Sequence, residues 1–107
     1  MPSLGRIPDG YGLLDPLPRT APPETRTKRA RLVRMAASSD PAYRARAASN
    51  PMLPITVLRE LSQDLSPLVR GWVLRNPRCP REIIELMRGD NHPAIRAFVR
   101  SLLESDA

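Results

Sequence analysis

The sequence predicts an all-α protein: a short right-handed α-helical solenoid of about three 26-residue, two-helix repeats behind an extended Pro-rich N-terminal arm. Three observations predict this fold class. Prolines and apolar residues recur at a fixed offset of 26 residues. Within each repeat, apolar residues follow the i, i+3, i+4 spacing of one helix face. No segment alternates with period two, so no strand is predicted.

Proline defines the repeat most clearly. Seven of the 13 prolines lie beyond residue 40, in columns 26 residues apart. These columns are Pro41, Pro67 and Pro93; Pro51 and Pro77; and Pro54 and Pro80. Other matching columns are Leu32, Leu58 and Ile84; Tyr43, Val69 and Ile95; Asn50 and Asn76; and Trp72 and Phe98. So many coincidences at one offset indicate a repeat architecture.

Each repeat is predicted to contain two short helices. The first helix spans 27–37, 55–63 and 81–88, with Pro54 and Pro80 at the first helical position and Gly89 as a C′ residue. The second helix spans 41–49, 67–75 and 93–104. Asp40, Ser66 and His92 precede it as an N-cap column, each followed by a proline at N1.

The proline-rich arm, residues 1–26, is distinct from the repeats, residues 27–107. It combines Gly and Pro with five larger apolar residues: Ile7, Tyr11, Leu13, Leu14 and Leu17. Disordered tails are typically poor in such residues, so the arm is expected to dock in extended form against a groove. That groove belongs either to the first repeat or to a partner, and a free tail is the alternative.

The stretch from Arg44 to Arg96 resembles the leucine-rich repeat variant family and, more broadly, HEAT-like helical repeats. Its turns NPMLP (50–54) and NPRCP (76–80) match the Asn-Pro-x-x-Pro turn of that family, and Leu58 and Leu61 match its Leu-x-x-Leu helix. The resemblance covers about residues 30–103 and implies a helical solenoid. The best-described member also carries a cysteine-rich iron–sulfur segment. The arm here contains no cysteine, so that cofactor is not expected.

Arginines and aspartates also recur with the repeat. Asp64 and Asp90 precede Arg70 and Arg96 by six residues, which predicts either a structural ladder of Arg–Asp bonds or a row of arginines that binds an anion. The ladder is the preferred interpretation, with the aspartate in the same or an adjacent repeat. Arg44 has Ser38 at the equivalent position and is expected to be the freest of the three arginines.

Positive charge is concentrated in the first repeat. The whole chain has a formal net charge of +6, of which residues 27–47 contribute +5. Six cations carry it: Lys28, Arg29, Arg31, Arg34, Arg44 and Arg46. They are candidate residues for binding an anion or an acidic partner. The alternative is a solvated cap at the end of the array.

Nothing in the sequence points to catalysis, a cofactor or a metal site. His92 lacks metal-ligating neighbours and is expected to cap a turn, and Cys79 is expected to be a small buried hydrophobe. Trp72 and Phe98 fit the core better than a base-stacking role.

Two functions remain open. The first is a non-catalytic module that docks into a larger protein assembly. The second is a nucleic-acid-binding module that grips phosphates through the first repeat. No membrane or small-molecule partner is expected. The expected location is the cytoplasm, a virion or another large assembly.

Overall fold

The computed structural model describes the backbone of residues 23–105 and the side chains of residues 26–105. This part of the chain is all-helical, with six helices and no strand. The helices are α1 (Pro23–Ala36), α2 (Pro41–Ala48), α3 (Ile55–Leu61), α4 (Pro67–Arg75), α5 (Arg81–Leu86) and α6 (Pro93–Ser105). None of them has the length and hydropathy needed to cross a bilayer. The predicted arm contacts of Ile7, Tyr11, Leu13, Leu14 and Leu17 lie outside the described residues.

The all-helical prediction is confirmed, and the helix limits agree with the structure to within a few residues. The largest difference is at α1, which begins at Pro23, inside the segment 1–26 that was predicted to be an extended arm. Proline is tolerated in the first turn of a helix, because the N–H group that it lacks would have no intrahelical partner there. Pro41, Pro67 and Pro93 each open a helix as predicted.

The N-cap column is confirmed at two of its three positions. Asp40 accepts the Ala42 N–H at 2.9 Å, and Nδ1 of His92 accepts the Ala94 N–H at 3.1 Å. Ser66 occupies the N-cap of α4 but makes no side-chain capping bond there.

Two predictions of helix ends were wrong by one position. Pro54 and Pro80 are the N-cap residues of α3 and α5, not the first helical residues. Gly89 lies two residues beyond the C-cap Met87, so it is C″ and not C′. The second difference arises because α5 ends at Leu86, two residues before its predicted end.

The helices pack so that α2, α4 and α6 are neighbours in one row, while α1, α3 and α5 each pack against the helix that follows. Their apolar faces form one core cluster of aliphatic side chains. The aligned residues Leu32, Leu58 and Ile84 are all buried in it, and Val73 and Val99 are buried almost completely. Small aliphatic side chains fill this core because the chain has only 4% aromatic residues.

Buried Asn76 joins two successive Asn-Pro turns. Its side-chain amide donates to the backbone carbonyls of Ala48, at 2.7 Å, and Asn50, at 3.0 Å. Its carbonyl oxygen accepts the Arg78 N–H at 2.8 Å. The Ala48 carbonyl lies at the C-terminal end of α2, where helix carbonyls lack intrahelical partners. One side chain therefore completes its own turn and satisfies the turn before it.

We expect Asn76→Ala to reduce the free energy of unfolding by about 1–3 kcal/mol, because it leaves a buried carbonyl without a donor. Asn50→Ala is the matched control, since the Asn50 side chain accepts only the local Met52 N–H. Urea denaturation of both variants measures the difference. Equal losses would contradict a bridging role for Asn76.

Candidate functional site

Two arginines of the row α2–α4–α6 make the same set of bonds. Arg70 donates from Nε and Nη2 to both carboxylate oxygens of Asp90, at 2.7 and 3.0 Å, and from Nη1 to the Asp64 carbonyl at 2.7 Å. Arg44 bonds Asp64 and the Ser38 carbonyl in the same way, at 2.8, 3.0 and 2.9 Å. Each guanidinium thus joins the turn before its own helix to the next such turn along the chain.

The prediction that Arg44 is the freest arginine was wrong. Each arginine pairs with the aspartate 20 residues ahead, so Arg44 uses Asp64 and Arg70 uses Asp90. The missing aspartate at position 38 therefore does not leave Arg44 unpaired. Arg96 is instead the arginine without a carboxylate among the described residues; only its Nη1 is bonded, to the Asp90 carbonyl at 2.7 Å.

The two carboxylates are poised to stay ionised. Burial opposes ionisation of Asp64 and Asp90, but the hydrogen bonds from Arg44 and Arg70, helped by the N–H groups of Ser66 and His92, outweigh it and lower the pKa of both carboxyls. The Asp64 hydrogen bond raises the pKa of Arg44 against a smaller effect of burial. The side chains of Arg70 and Asp90 are only 9% and 5% exposed, so this pair is nearly shielded from solvent.

Five of the six predicted cations form what we call the basic patch: Lys28, Arg29, Arg31, Arg34 and Arg46. All five are exposed and carry no ion pair with a described residue. Arg31 and Arg34 border a shallow apolar cavity with Met35 and Tyr43. Tyr43 is 49% exposed although its aligned residues Val69 and Ile95 are buried, because no described helix precedes α2 in the row.

A second surface lies between α4 and α6. We call it the aromatic groove: a cavity of about 430 Å³ lined by Leu68, Gly71, Trp72, Arg75 and Phe98, with Pro67, His92, Ala94 and Ile95 around them. Trp72 and Phe98 pack against the core with one part and border the groove with the other. The Arg75 guanidinium lies 5.0 Å from the Trp72 ring centroid and 5.6 Å from that of Phe98. Leu68 is 52% exposed beside them.

The core interpretation of Trp72 and Phe98 therefore holds only in part. Their i+3 spacing from Val69 and Ile95 indicated the apolar stripe, but both lie at the edge of that stripe. The groove was missed because Arg75 was not connected with them. The signal was available: Arg75 follows Trp72 by three residues, which places the two on one helix face.

His92 matches its predicted role, whereas Cys79 matches its own only in part, because it is half-buried and not fully buried. His92 caps α6, and Cys79 is half-buried against the core, where burial raises the pKa of its thiol to about 11. Within residues 26–105, no group of three His, Cys, Asp or Glu side chains is placed to hold a metal ion.

The Arg–Asp pairs make the stability of the fold decrease when the pH falls into the acid range. Both carboxyls have a lower pKa in the folded chain than in the unfolded chain, so the pairs stabilise fully above the unfolded value near 4. That contribution is lost as the pH falls through the folded value. We expect a melting temperature that is flat from pH 7 to about 5 and falls below about 4.

Asp90→Asn should lower the free energy of unfolding by about 3 kcal/mol at pH 7, since it leaves Arg70 buried without a counter-charge. The variant should also show a shallower loss of stability in acid. Glu60→Gln, at an exposed position outside the pairs, is the control and should behave like the parent chain. If the free energy of unfolding of Asp90→Asn and of the parent chain fell in parallel as the pH was lowered, this origin of the pH dependence would be ruled out.

Comparisons with known proteins leave the chain without an assigned relative. A scan against protein-family models, a search of curated proteins and a search of solved structures each found no match. Function is therefore inferred from three features of the described residues: the paired arginines, the basic patch and the aromatic groove.

Proposed function

We propose that this chain is a non-catalytic helical-repeat interaction module that docks into a larger protein assembly. In this proposal its six helices form three repeats of a right-handed solenoid, similar to the leucine-rich repeat variant and HEAT-like families. The recurrence of the Arg44–Asp64 contact as Arg70–Asp90, 26 residues later, supports the repeat. An assembly in the cytoplasm or in a virion fits this role.

The aromatic groove carries the proposal. Protein interfaces are enriched in aromatic residues and arginine at their centres, and the groove presents Trp72 and Phe98 with the Arg75 guanidinium 5.0 and 5.6 Å from their ring centroids. Leu68 extends the apolar surface outwards. A small protein gains nothing for its own stability by leaving these groups half-exposed, whereas a partner that covers them would bury their remaining apolar area.

The N-terminal arm is the second element of the proposal. Its apolar residues, Ile7, Tyr11, Leu13, Leu14 and Leu17, suit an extended segment that binds a groove on the partner. In this role the arm tethers the module, and the aromatic groove orients it.

Gly71→Gln tests the groove without removing any core atom. A Cβ at Gly71 meets no atom within 4 Å, so the new side chain can extend into the groove. Gln is also a better helix former than Gly, by about 0.5 kcal/mol. We expect the variant to fold with unchanged or higher stability and to lose the partner that co-purifies with the tagged full chain from its native host.

Gly89→Gln is the matched control, because Gly89 also has open space around its Cβ but lies in the turn between α5 and α6. It should retain the partner. Deletion of residues 1–22, which ends before α1 begins, should also abolish capture. A partner that survives both the Gly71→Gln change and the deletion would refute the proposal.

Nucleic-acid binding is the second candidate, and the basic patch favours it. Five exposed cations that form no ion pair with a described residue can contact phosphates and release counter-ions. The aromatic groove does not strengthen this candidate, since its rings are already engaged by Arg75. The candidate therefore depends on charge alone and predicts binding without sequence preference.

Salt dependence separates the two candidates. If the patch contacts phosphates, replacing Lys28, Arg31 and Arg34 together with Gln should flatten the slope of log affinity against log salt by up to about three for duplex DNA. The same change at Arg59, Arg75 and Arg78, which lie outside both the patch and the cavity between α5 and α6, should leave the slope as it is. If the parent chain bound duplex DNA only weakly and both triple variants showed the same salt dependence, nucleic acid would be excluded as the partner.

A further inference from the structure

Four arginines surround an open cavity at the C-terminal end of the described helices. The cavity measures about 450 Å³ and lies between α5 and α6. We call it the arginine pocket; Arg81, Arg88, Arg96 and Arg100 line it together with Leu103 and Glu104. Glu85 bonds Arg81 and Arg88, whereas Arg100 has no partner among the described residues. The described residues around the pocket therefore carry a net positive charge.

Arg96 is held in the geometry that binds a carboxylate elsewhere in the molecule. Arg44, Arg70 and Arg96 all fix Nη1 on the carbonyl of the residue six positions earlier, at 2.9, 2.7 and 2.7 Å. In the first two, this bond directs Nε and Nη2 to the two oxygens of an aspartate. Nε and Nη2 of Arg96 bond no residue in the described part of the chain. They form a preset fork for a bidentate carboxylate.

The positions around Arg96 indicate an acidic occupant. Ser62 and Leu74 are buried inside the helical array, and 26 residues later their places are taken by Arg88 and Arg100. A cap that only needs solubility is served by mixed charges. Arginine at both positions, beside the open fork of Arg96, suits an acidic surface instead.

A second copy of this chain does not fit. Stacked head to tail, its first turn would present Ser38 where Asp64 and Asp90 stand in the existing pairs. It would also bring the basic patch of α1 towards the arginine pocket, and like charges repel. The occupant is therefore a different, acidic protein.

We propose that the arginine pocket binds an aspartate of an acidic partner protein, presented from an Asp-x-x-Pro turn, with Nε and Nη2 of Arg96 as the bidentate donors. Both aspartates already paired in this chain stand in such a turn, Asp64 before Pro67 and Asp90 before Pro93. Each also accepts the N–H two residues on, which fixes its carboxylate. The inference rests on the proposed protein-binding function and adds the chemistry of the partner.

The test is a titration of the 15N-labelled full chain with a capped peptide of its own residues 63–67, Gln-Asp-Leu-Ser-Pro, at low salt. We expect a saturable shift of the Arg96 Nε–H resonance, with those of Arg44 and Arg70 unchanged because their forks are occupied. The peptide with Asn for Asp should bind about tenfold more weakly, since it offers no charge-assisted bonds.

Arg96→Lys keeps the positive charge but removes the two parallel N–H donors, so it should also weaken peptide binding about tenfold. Binding to this variant is measured from the shifts of the backbone amides of α6. Arg59→Lys is the control and should bind the peptide like the parent chain, because Arg59 pairs with exposed Glu82 outside the pocket. Equal binding of the Asp and Asn peptides, or an unaffected Arg96→Lys variant, would overturn the proposal. A third result would also overturn it: inorganic phosphate displaces the peptide and shifts the Nε–H resonances of Arg88 and Arg100 as strongly as that of Arg96. The pocket would then be a phosphate site.

This outcome is independent of the test of the proposed function. The titration uses no partner from the host, so loss of the Arg96 response does not affect capture through the aromatic groove. Conversely, the chain could capture no partner in its host and still bind the Asp peptide through Arg96. That result would support the arginine pocket as a binding site and refute the proposed function.

Discussion

The bond from Arg70 to Asp90 is the constraint on which the remaining structure depends. A core of small aliphatic side chains excludes water but does not fix the register of one helix against the next, because such contacts have little direction. The paired guanidinium and carboxylate are directional and nearly buried, so a shifted register would leave charges without partners. Arg44 and Asp64 repeat the constraint for the preceding helices.

Asn76 applies a second constraint at the opposite ends of the helices. The arginines act at the turns that precede α4 and α6, whereas Asn76 acts at the turns that follow α2 and α4. With the helices of the row held at both ends, their exposed faces are free to differ from one another. The aromatic groove is lined by none of the residues that make these bonds, whereas the arginine pocket contains Arg96, the next arginine of the same series.

Much of the fold is predictable from the sequence because proline and apolar spacing act locally. The 26-residue offset located all six helices, and the prolines located the first residues of α2, α4 and α6. The direction of the Arg–Asp pairs was not predictable, because an aspartate six residues before Arg70 and another 20 residues after it look equivalent in sequence. Only the packed turns show that the later aspartate receives the side chain, while the earlier residue offers its carbonyl.

The same limit explains what was missed at the candidate surfaces. The basic patch could be predicted because charge can be counted along the chain. Arg44 was wrongly included among its cations, because its partner Asp64 lies in another turn. The aromatic groove required knowing that Trp72 and Phe98 come from adjacent helices with Arg75 beside both rings. Local spacing places Arg75 beside Trp72, but the approach of Phe98 to both is set by tertiary packing.

The forward reach of the arginines gives the helical row a polarity. Each junction takes its cation from the earlier helix and its anion from the later turn, so the two ends of the row are chemically unlike. At one end the turn has Ser38 where Asp64 and Asp90 stand, and at the other end Nε and Nη2 of Arg96 bond no described residue. A further unit that continued the same contact could therefore be added in one orientation only.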